Sequence, residues 1–192
     1  YVHQDLYETF VEMAIEEANQ YILGDPTQPT VTLGPMVRSR NAEQVRTVID
    51  QAVDSGAKTL LDPNHFPEAG RGGAYIAPQL LVDVDHKMSL MREETFGPCV
   101  GIMAVKGDEM AIKMMNDSSH GLSASIWTRD VEAARRIGGD LETGTVFMNR
   151  CDYLDPYLAW TGIKNSGRGA TLSNIGFEQM TRPKSFHFRT GD

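Results

Sequence analysis

An α/β domain is predicted, with a mostly parallel sheet flanked by helices. Three observations predict it. Short apolar runs alternate with stretches of helical periodicity along the chain. Glycines and prolines punctuate the joins between them. The 192 residues are 41% hydrophobic, which is enough for a core without disulfide staples. A chain of this size buries roughly 70% of the surface that its unfolded form exposes.

The elements follow in order. Asp5 to Leu23 reads as an amphipathic helix with Leu6, Phe10, Met13, Ala14, Ala18, Tyr21 and Ile22 on one stripe. Asp5 and Glu8 have capping-box spacing, and Gly24 with Asp25-Pro26 marks the stop. After a loop with Pro26, Pro29 and Pro35, Asn41 to Ser55 forms a second helix, closed by Gly56. Lys58 to Leu61 is a short strand, and Asp62 to Gly73 a loop. Tyr75 to Val84 is strand-like, with Pro78 making part of it edge or irregular. Val100 to Val105 reads as a buried strand, Asp108 to Asn116 as a helix and Leu122 to Thr128 as a strand. Asp130 to Ile137 is a helix that Gly138-Gly139 should close, followed by a strand at Thr145 to Met148. A long irregular stretch runs from Gly144 to Gly169. A short helix at Asn174 to Met180 and a last strand at Ser185 to Arg189 complete the chain.

Composition excludes several partners. Lys and Arg number 18 against 26 Asp and Glu, a net charge of −8. That balance argues against nucleic acid and against anionic membrane surfaces, both of which need clustered cations. No run approaches the roughly 20 apolar residues of a membrane span. Two cysteines, Cys99 and Cys151, imply no disulfide framework and fit a reducing, cytoplasmic setting.

Several standard constellations are absent. There is no P-loop, and Gly70-Arg71-Gly72 and Gly167-Arg168-Gly169 each lack the third glycine of a dinucleotide fingerprint. Gly121 to Ser125 ends in Ser where a nucleophile elbow needs Gly. The five histidines are scattered, so no metal site is expected. One segment carries chemistry: Arg92-Glu93-Glu94-Thr95-Phe96-Gly97-Pro98. Its bland reading is a helix end with solvated carboxylates. Its sharper reading is a cofactor cradle. One carboxylate accepts two ribose hydroxyls, a ring two residues on packs against a flat heterocycle, and Gly-Pro fixes the turn. Adjacent carboxylates point apart, so at most one of Glu93 and Glu94 does this.

With this segment in view, the sequence resembles the C-terminal part of the catalytic domain of the aldehyde dehydrogenase superfamily. The resemblance covers nearly the whole chain. It rests on Tyr1-Val2-His3, Leu33 to Met36, Gly56-Ala57, Glu93 to Pro98, Asn116, His120 to Ala124, Gly144 to Asn149, Gly162 to Gly167 and Pro183-Lys184, in that order. Each piece is weak alone; their order and spacing are specific.

The resemblance implies residues 1–184 as catalytic-domain segment and 185–192 as an oligomerisation strand, hence dimers or tetramers. In an isolated chain that strand is a sticky edge, with Phe186 and Phe188 on one face. The implied cofactor is NAD or NADP, the implied substrate a small aldehyde. Glu94 matches the acid that binds the nicotinamide ribose, and Phe96 the aromatic that positions the ring. Trp160 and Asp152 match places facing substrate, with loop packing as the plain alternative. Asn149 matches a strand-end asparagine, for which a capping role is equally suited. Gly162, Lys164, Ser166 and Gly167 match the chain's return after the substrate loop. One departure stands out: Ala159-Trp160-Thr161-Gly162 replaces the family's usual Pro-Phe-Gly-Gly.

The family oxidises aldehydes through a cysteine thiohemiacetal and thioester, with a glutamate activating water. That cysteine is expected shortly before Tyr1 and that glutamate earlier still, so no catalytic residue is expected within the chain. Cys99 reads as a small core hydrophobe, and Cys151 lies outside the nucleophile motif. The competing readings are an acylating reductase of the same superfamily and a truncated, non-catalytic module.

Overall fold

The computed structural model describes residues 1–191, which cluster into two compact units, Tyr1–Ser118 and the stretch from Ser119 onward. In the first unit β1 (Val2–His3) leads through a single 3-10 turn into α1 (Tyr7–Ala18), followed by α2 (Ser39–Asp54). Then come β2 (Lys58–Thr59), β3 (Gln79–Val82), β4 (Cys99–Gly101), β5 (Ala104–Val105) and α3 (Asp108–Asn116). The central sheet has the order β2-β3-β4, antiparallel at β2/β3 and parallel at β3/β4. Strand β1 pairs in parallel with β5.

Burial explains this arrangement. Leu81, in the middle strand, is fully buried and packs with Ala52, Ala57, Val84, Met88 and Leu90. The inner face of α2 supplies Ala42, Val45 and Ala52. A second cluster joins Ala18, Leu23, Leu61, Phe66 and Ala77. The buried Gln79 amide is satisfied on both sides, donating to the Leu61 carbonyl and accepting the Leu61 N–H. That is the condition for keeping a polar group in a core.

Helix α1 differs from expectation in three ways. It stops at Ala18 rather than Leu23, because Ile22 and Leu23 turn extended instead. The Ile22 carbonyl accepts the N–H groups of Thr32 and Leu33, and Leu23 bridges Leu33 and is buried. The capping box does not form: Leu6 is the N-cap with no side-chain bond, while the Asp5 N–H donates to His3 Nδ1. The inward stripe is Tyr7, Val11, Ala14, Ile15 and Ala18, whereas Leu6, Phe10, Met13, Tyr21 and Ile22 are exposed. Both stripes have helical spacing, and periodicity alone does not say which of two apolar faces turns inward.

The expected single strand at 100–105 is two strands. The chain bends at Ile102, whose N–H donates to the Leu81 carbonyl, so that β4 serves β3 and β5 serves β1. Val100 is exposed as a result. Helix α3 matches its predicted bounds.

The second unit contains β6 (His120–Gly121), β7 (Ser123–Ile126), α4 (Val131–Asp140), β8 (Thr145–Met148), β9 (Trp160–Thr161), β10 (Ile163–Lys164), β11 (Ala170–Thr171) and α5 (Ser173–Met180). Strands β7 and β8 pair in parallel over four residues with α4 as their crossover, a βαβ unit. Asp130 caps α4 through Oδ1 to the N–H groups of Glu132 and Ala133. The helix runs through Gly138-Gly139 instead of ending there. A Cβ on Gly138 would stand 3.1 Å from Val146, so this glycine permits a close approach of helix and strand. Strands β9 and β10 lie within the stretch expected to be irregular; β10 pairs antiparallel with β6, and β11 with β9. Residues 185–189 form no strand, because no ladder partner meets them among the described residues; the Phe186 and Phe188 rings stack on each other, centroids 5.7 Å apart. No helix among the described residues is long and apolar enough to cross a membrane, and no group of three potential metal ligands assembles there.

Candidate functional site

The connection from Val82 to Cys99 carries Glu94 and Phe96. It is anchored from below: Met88 and Leu90 are buried in the core, and the Met91 sulfur lies against Gly101 so closely that a Cβ there would collide with it. The chain then rises. Glu93 and Glu94 are exposed, and Phe96 is 82% exposed. Phe96 also has φ +46°, a left-handed conformation that costs a residue with a Cβ about 1–2 kcal/mol. The far end is pinned at Gly97, where a Cβ would run into the buried Val45 side chain of α2. The Cys99 N–H closes the turn on the Gly97 carbonyl at 2.8 Å, and Pro98 leads into β4. A carboxylate and an aromatic ring are thus presented outward on a short segment fixed at both ends. A strained, outward aromatic on a held loop is a feature that clusters at ligand sites.

Cys99 lies behind this loop, among Leu81, Val84, Met88 and Leu90. Burial pushes its thiol up to about 11, and a hydrogen bond from the Thr95 side chain works more weakly in the other direction. At pH 8 Cys99 therefore stays overwhelmingly in its unreactive thiol form. Cys151 is exposed. Brief treatment with iodoacetamide at pH 8 is therefore expected to label Cys151 and spare Cys99 until denaturant is added. Peptide mass mapping checks this; equal labelling of both in the native protein would contradict it.

The remaining predicted residues lie in the second unit. Asn149, at φ +54°, ends β8. Its side-chain oxygen accepts the Thr128 N–H at 2.9 Å and its amide donates to the Thr128 carbonyl at 2.8 Å. This ties the β7–α4 turn to the end of β8. Lys164, also left-handed at φ +54°, pairs with Glu142 at 2.6 Å. Ser166 Oγ accepts the Gly121 N–H at 2.9 Å. A Cβ on Gly162 would sit 2.9 Å from Ser166 Cβ, and Gly167 has φ +130°. These four residues knit the return of the chain onto β6.

Between Asn149 and Gly162 the loop is open. Asp152 is exposed at φ +49°. The Arg150 guanidinium lies 3.5 Å from the Tyr153 ring centroid, a stacking that sequence spacing did not suggest. Trp160 is half-buried in β9, opposite Thr171. A cleft of about 850 Å³ lies nearby, walled by Tyr157, Leu158, Leu172, Ile175, Phe177 and Met180 among others. Neither Trp160 nor Asp152 lines it. The structure thus gathers Glu94 with Phe96 on one loop, and Asn149, Gly162, Lys164, Ser166 and Gly167 around one turn. The cleft was missed because its wall comes from two segments, each apolar without a period.

A model of the aldehyde dehydrogenase family matches residues 1–186. Bovine (Bos taurus) aldehyde dehydrogenase 1A1 is 34% identical over 185 residues, covering 96% of this chain and 36% of its own length. Succinate-semialdehyde dehydrogenase [NADP(+)] 1 of Mycobacterium ulcerans is 32% identical, covering 95% of this chain and 39% of its own. The crystal structure of betaine aldehyde dehydrogenase from Staphylococcus aureus in complex with NAD+ superposes with a TM-score of 0.84 at 25% identity, covering 93% of this chain and 36% of that one. The chain thus spans little more than a third of the length of these relatives.

Proposed function

The chain belongs to the aldehyde dehydrogenase family, and from that premise we propose that it forms part of an NAD- or NADP-dependent enzyme that oxidises an aldehyde to a carboxylic acid. The observation that carries the reading is the Glu94–Phe96 loop, with an exposed carboxylate and an exposed ring on a segment held at Gly97 and Met91. An acceptor-only carboxylate suits the paired hydroxyls of a ribose, and an outward aromatic face suits a nicotinamide ring. A dinucleotide held here would supply the hydride acceptor for the oxidation, with Glu94 and Phe96 as the residues that would hold it. Glu94 grips the sugar and Phe96 limits the tilt of the ring. Orientation of this kind accounts for a large part of a transfer barrier, since a misplacement of 1 Å can cost about a hundredfold in rate.

On the substrate side, Trp160 and Asp152 face the aldehyde, while Asn149, Gly162, Lys164, Ser166 and Gly167 hold the loop that carries them. The cysteine nucleophile of the thiohemiacetal and thioester steps, and the glutamate that activates water, lie outside these 192 residues. The chemistry of Cys99 supports this, since a thiol pushed up to about 11 is a poor nucleophile at neutral pH. By itself the chain is then inactive in aldehyde oxidation. Residues 185–189, which find no ladder partner among the described residues, would become a strand only on association with a second copy of the protein.

The test is Glu94→Ala in the complete protein, titrated calorimetrically with NAD+ and with NADP+. Loss of one or two charge-assisted hydrogen bonds should weaken the tighter-binding dinucleotide about 10- to 100-fold. Binding equal to that of the unaltered protein would refute the assignment.

A further inference from the structure

A chain of polar contacts in the first unit joins His86, Asp117, Tyr1 and Arg92. His86 lies at the start of the connection that carries Glu94, and its side chain is only 12% exposed. Its Nδ1 is 2.9 Å from Asp117 Oδ2, just past the end of α3. Its Nε2 is 2.7 Å from the Tyr1 hydroxyl. A carboxylate only accepts, so Nδ1 carries a proton and donates to Asp117, while Nε2 meets the Tyr1 hydroxyl, which also reaches the Met114 carbonyl at 3.5 Å. The other carboxylate oxygen of Asp117, Oδ1, faces Arg92 Nη2 at 3.8 Å. Asp117 thus links a nearly buried histidine, through one oxygen, to an arginine two residues before Glu94, through the other.

This geometry is uneconomical for stability alone. The Arg92–Asp117 pair is half exposed and loosely spaced, the kind of contact that contributes little to folding. Its place is what matters. Behind Glu94 the loop is held at Gly97 against Val45. Ahead of Glu94, the Arg92 N–H donates to the Ser89 carbonyl at 3.0 Å, and its side chain faces Asp117 just before the loop turns outward. We propose that His86 and Asp117 are positioning residues that, through Arg92, hold the leading side of the Glu94–Phe96 loop and so set dinucleotide affinity, with Tyr1 fixing the histidine ring. The inference rests on the reading of Glu94 as a ribose-binding acid.

Asparagine places an amide donor near the position of Nδ1, and glutamine near that of Nε2. His86→Asn therefore keeps a donor for Asp117 and gives up Tyr1, while His86→Gln does the reverse. The experiment is calorimetric titration of the complete protein with NAD+ and NADP+, with thermal midpoints, for Glu94→Ala, Asp117→Ala, Arg92→Gln, His86→Gln and His86→Asn. Asp117→Ala, Arg92→Gln and His86→Gln should weaken the tighter-binding dinucleotide about three- to ten-fold. His86→Asn should stay within about two-fold of the unaltered protein. Weakening by Glu94→Ala with no weakening by Arg92→Gln, an exposed site that leaves the core intact, overturns the positioning proposal alone. Equal weakening by both histidine variants, tracking a fall in thermal midpoint, shows a packing role and overturns it too. No weakening by Glu94→Ala removes the reading beneath it and the proposal with it.

Discussion

Gly144→Ala is expected to lower the stability of the second unit by about 2–4 kcal/mol, a cost typical of a side chain forced against fixed backbone. A Cβ at Gly144 would fall on the Thr161 carbonyl and lie 3.1 Å from Gly162 Cα. Nothing flexible stands there to swing aside. The neighbourhood is equally tight: a Cβ on Gly121 would meet the Glu142 carbonyl and lie 2.7 Å from Ile163 Cγ1, and the Gly144 N–H donates to the Gly121 carbonyl at 3.1 Å. Three segments therefore cross where two glycines leave room. Both tryptophans, Trp127 and Trp160, belong to this unit, so their fluorescence in a urea titration reports the loss directly. A midpoint unchanged within error would show that the backbone yields more easily than its packing indicates.

Leu81→Ala should cost about 2–5 kcal/mol in the first unit, the range for a leucine removed from a site that cannot collapse. Leu81 is wholly buried and stands in the middle strand of three, opposite Thr59 on one side and Gly101 on the other. Its carbonyl also accepts the Ile102 N–H at 2.8 Å, where β4 gives way to β5. The cavity would open beneath Cys99, Met91 and Leu90, the floor of the Glu94–Phe96 loop. The far-ultraviolet midpoint in urea should fall by about 1–2 M. A second consequence follows: Cys99, sealed by this packing, should become open to alkylation. A small shift with Cys99 still protected would mean that the neighbours close the gap.

Legibility in the sequence followed the range of the forces involved. Helix α3 and strand β8 were read with their observed bounds, because acidic first-turn residues and a short apolar run after glycine are local signals. Glu94 and Phe96 stand out in the sequence for the same reason: the acid, the ring and the Gly-Pro turn are neighbours. What escaped was tertiary. The end of α1 is set by Leu23 pairing with Leu33, and the inward face of that helix by what covers it. The Gly138-Gly139 pair looked like a stop and is instead a packing device. His86 and Asp117 are 31 residues apart, with no spacing rule to join them. A strand at 185–189 depends on a second ladder, which periodicity of side chains cannot supply.

The backbone at Phe96 has a further implication. Glycine would adopt φ +46° without penalty and would rid the surface of a bare ring. Durability and the ligand-holding role proposed for Phe96 thus pull this single position in opposite directions. Any lineage or laboratory selection that rewards heat tolerance without demanding turnover has an easy route here, and taking it trades away the residue assigned to steady the reacting ring.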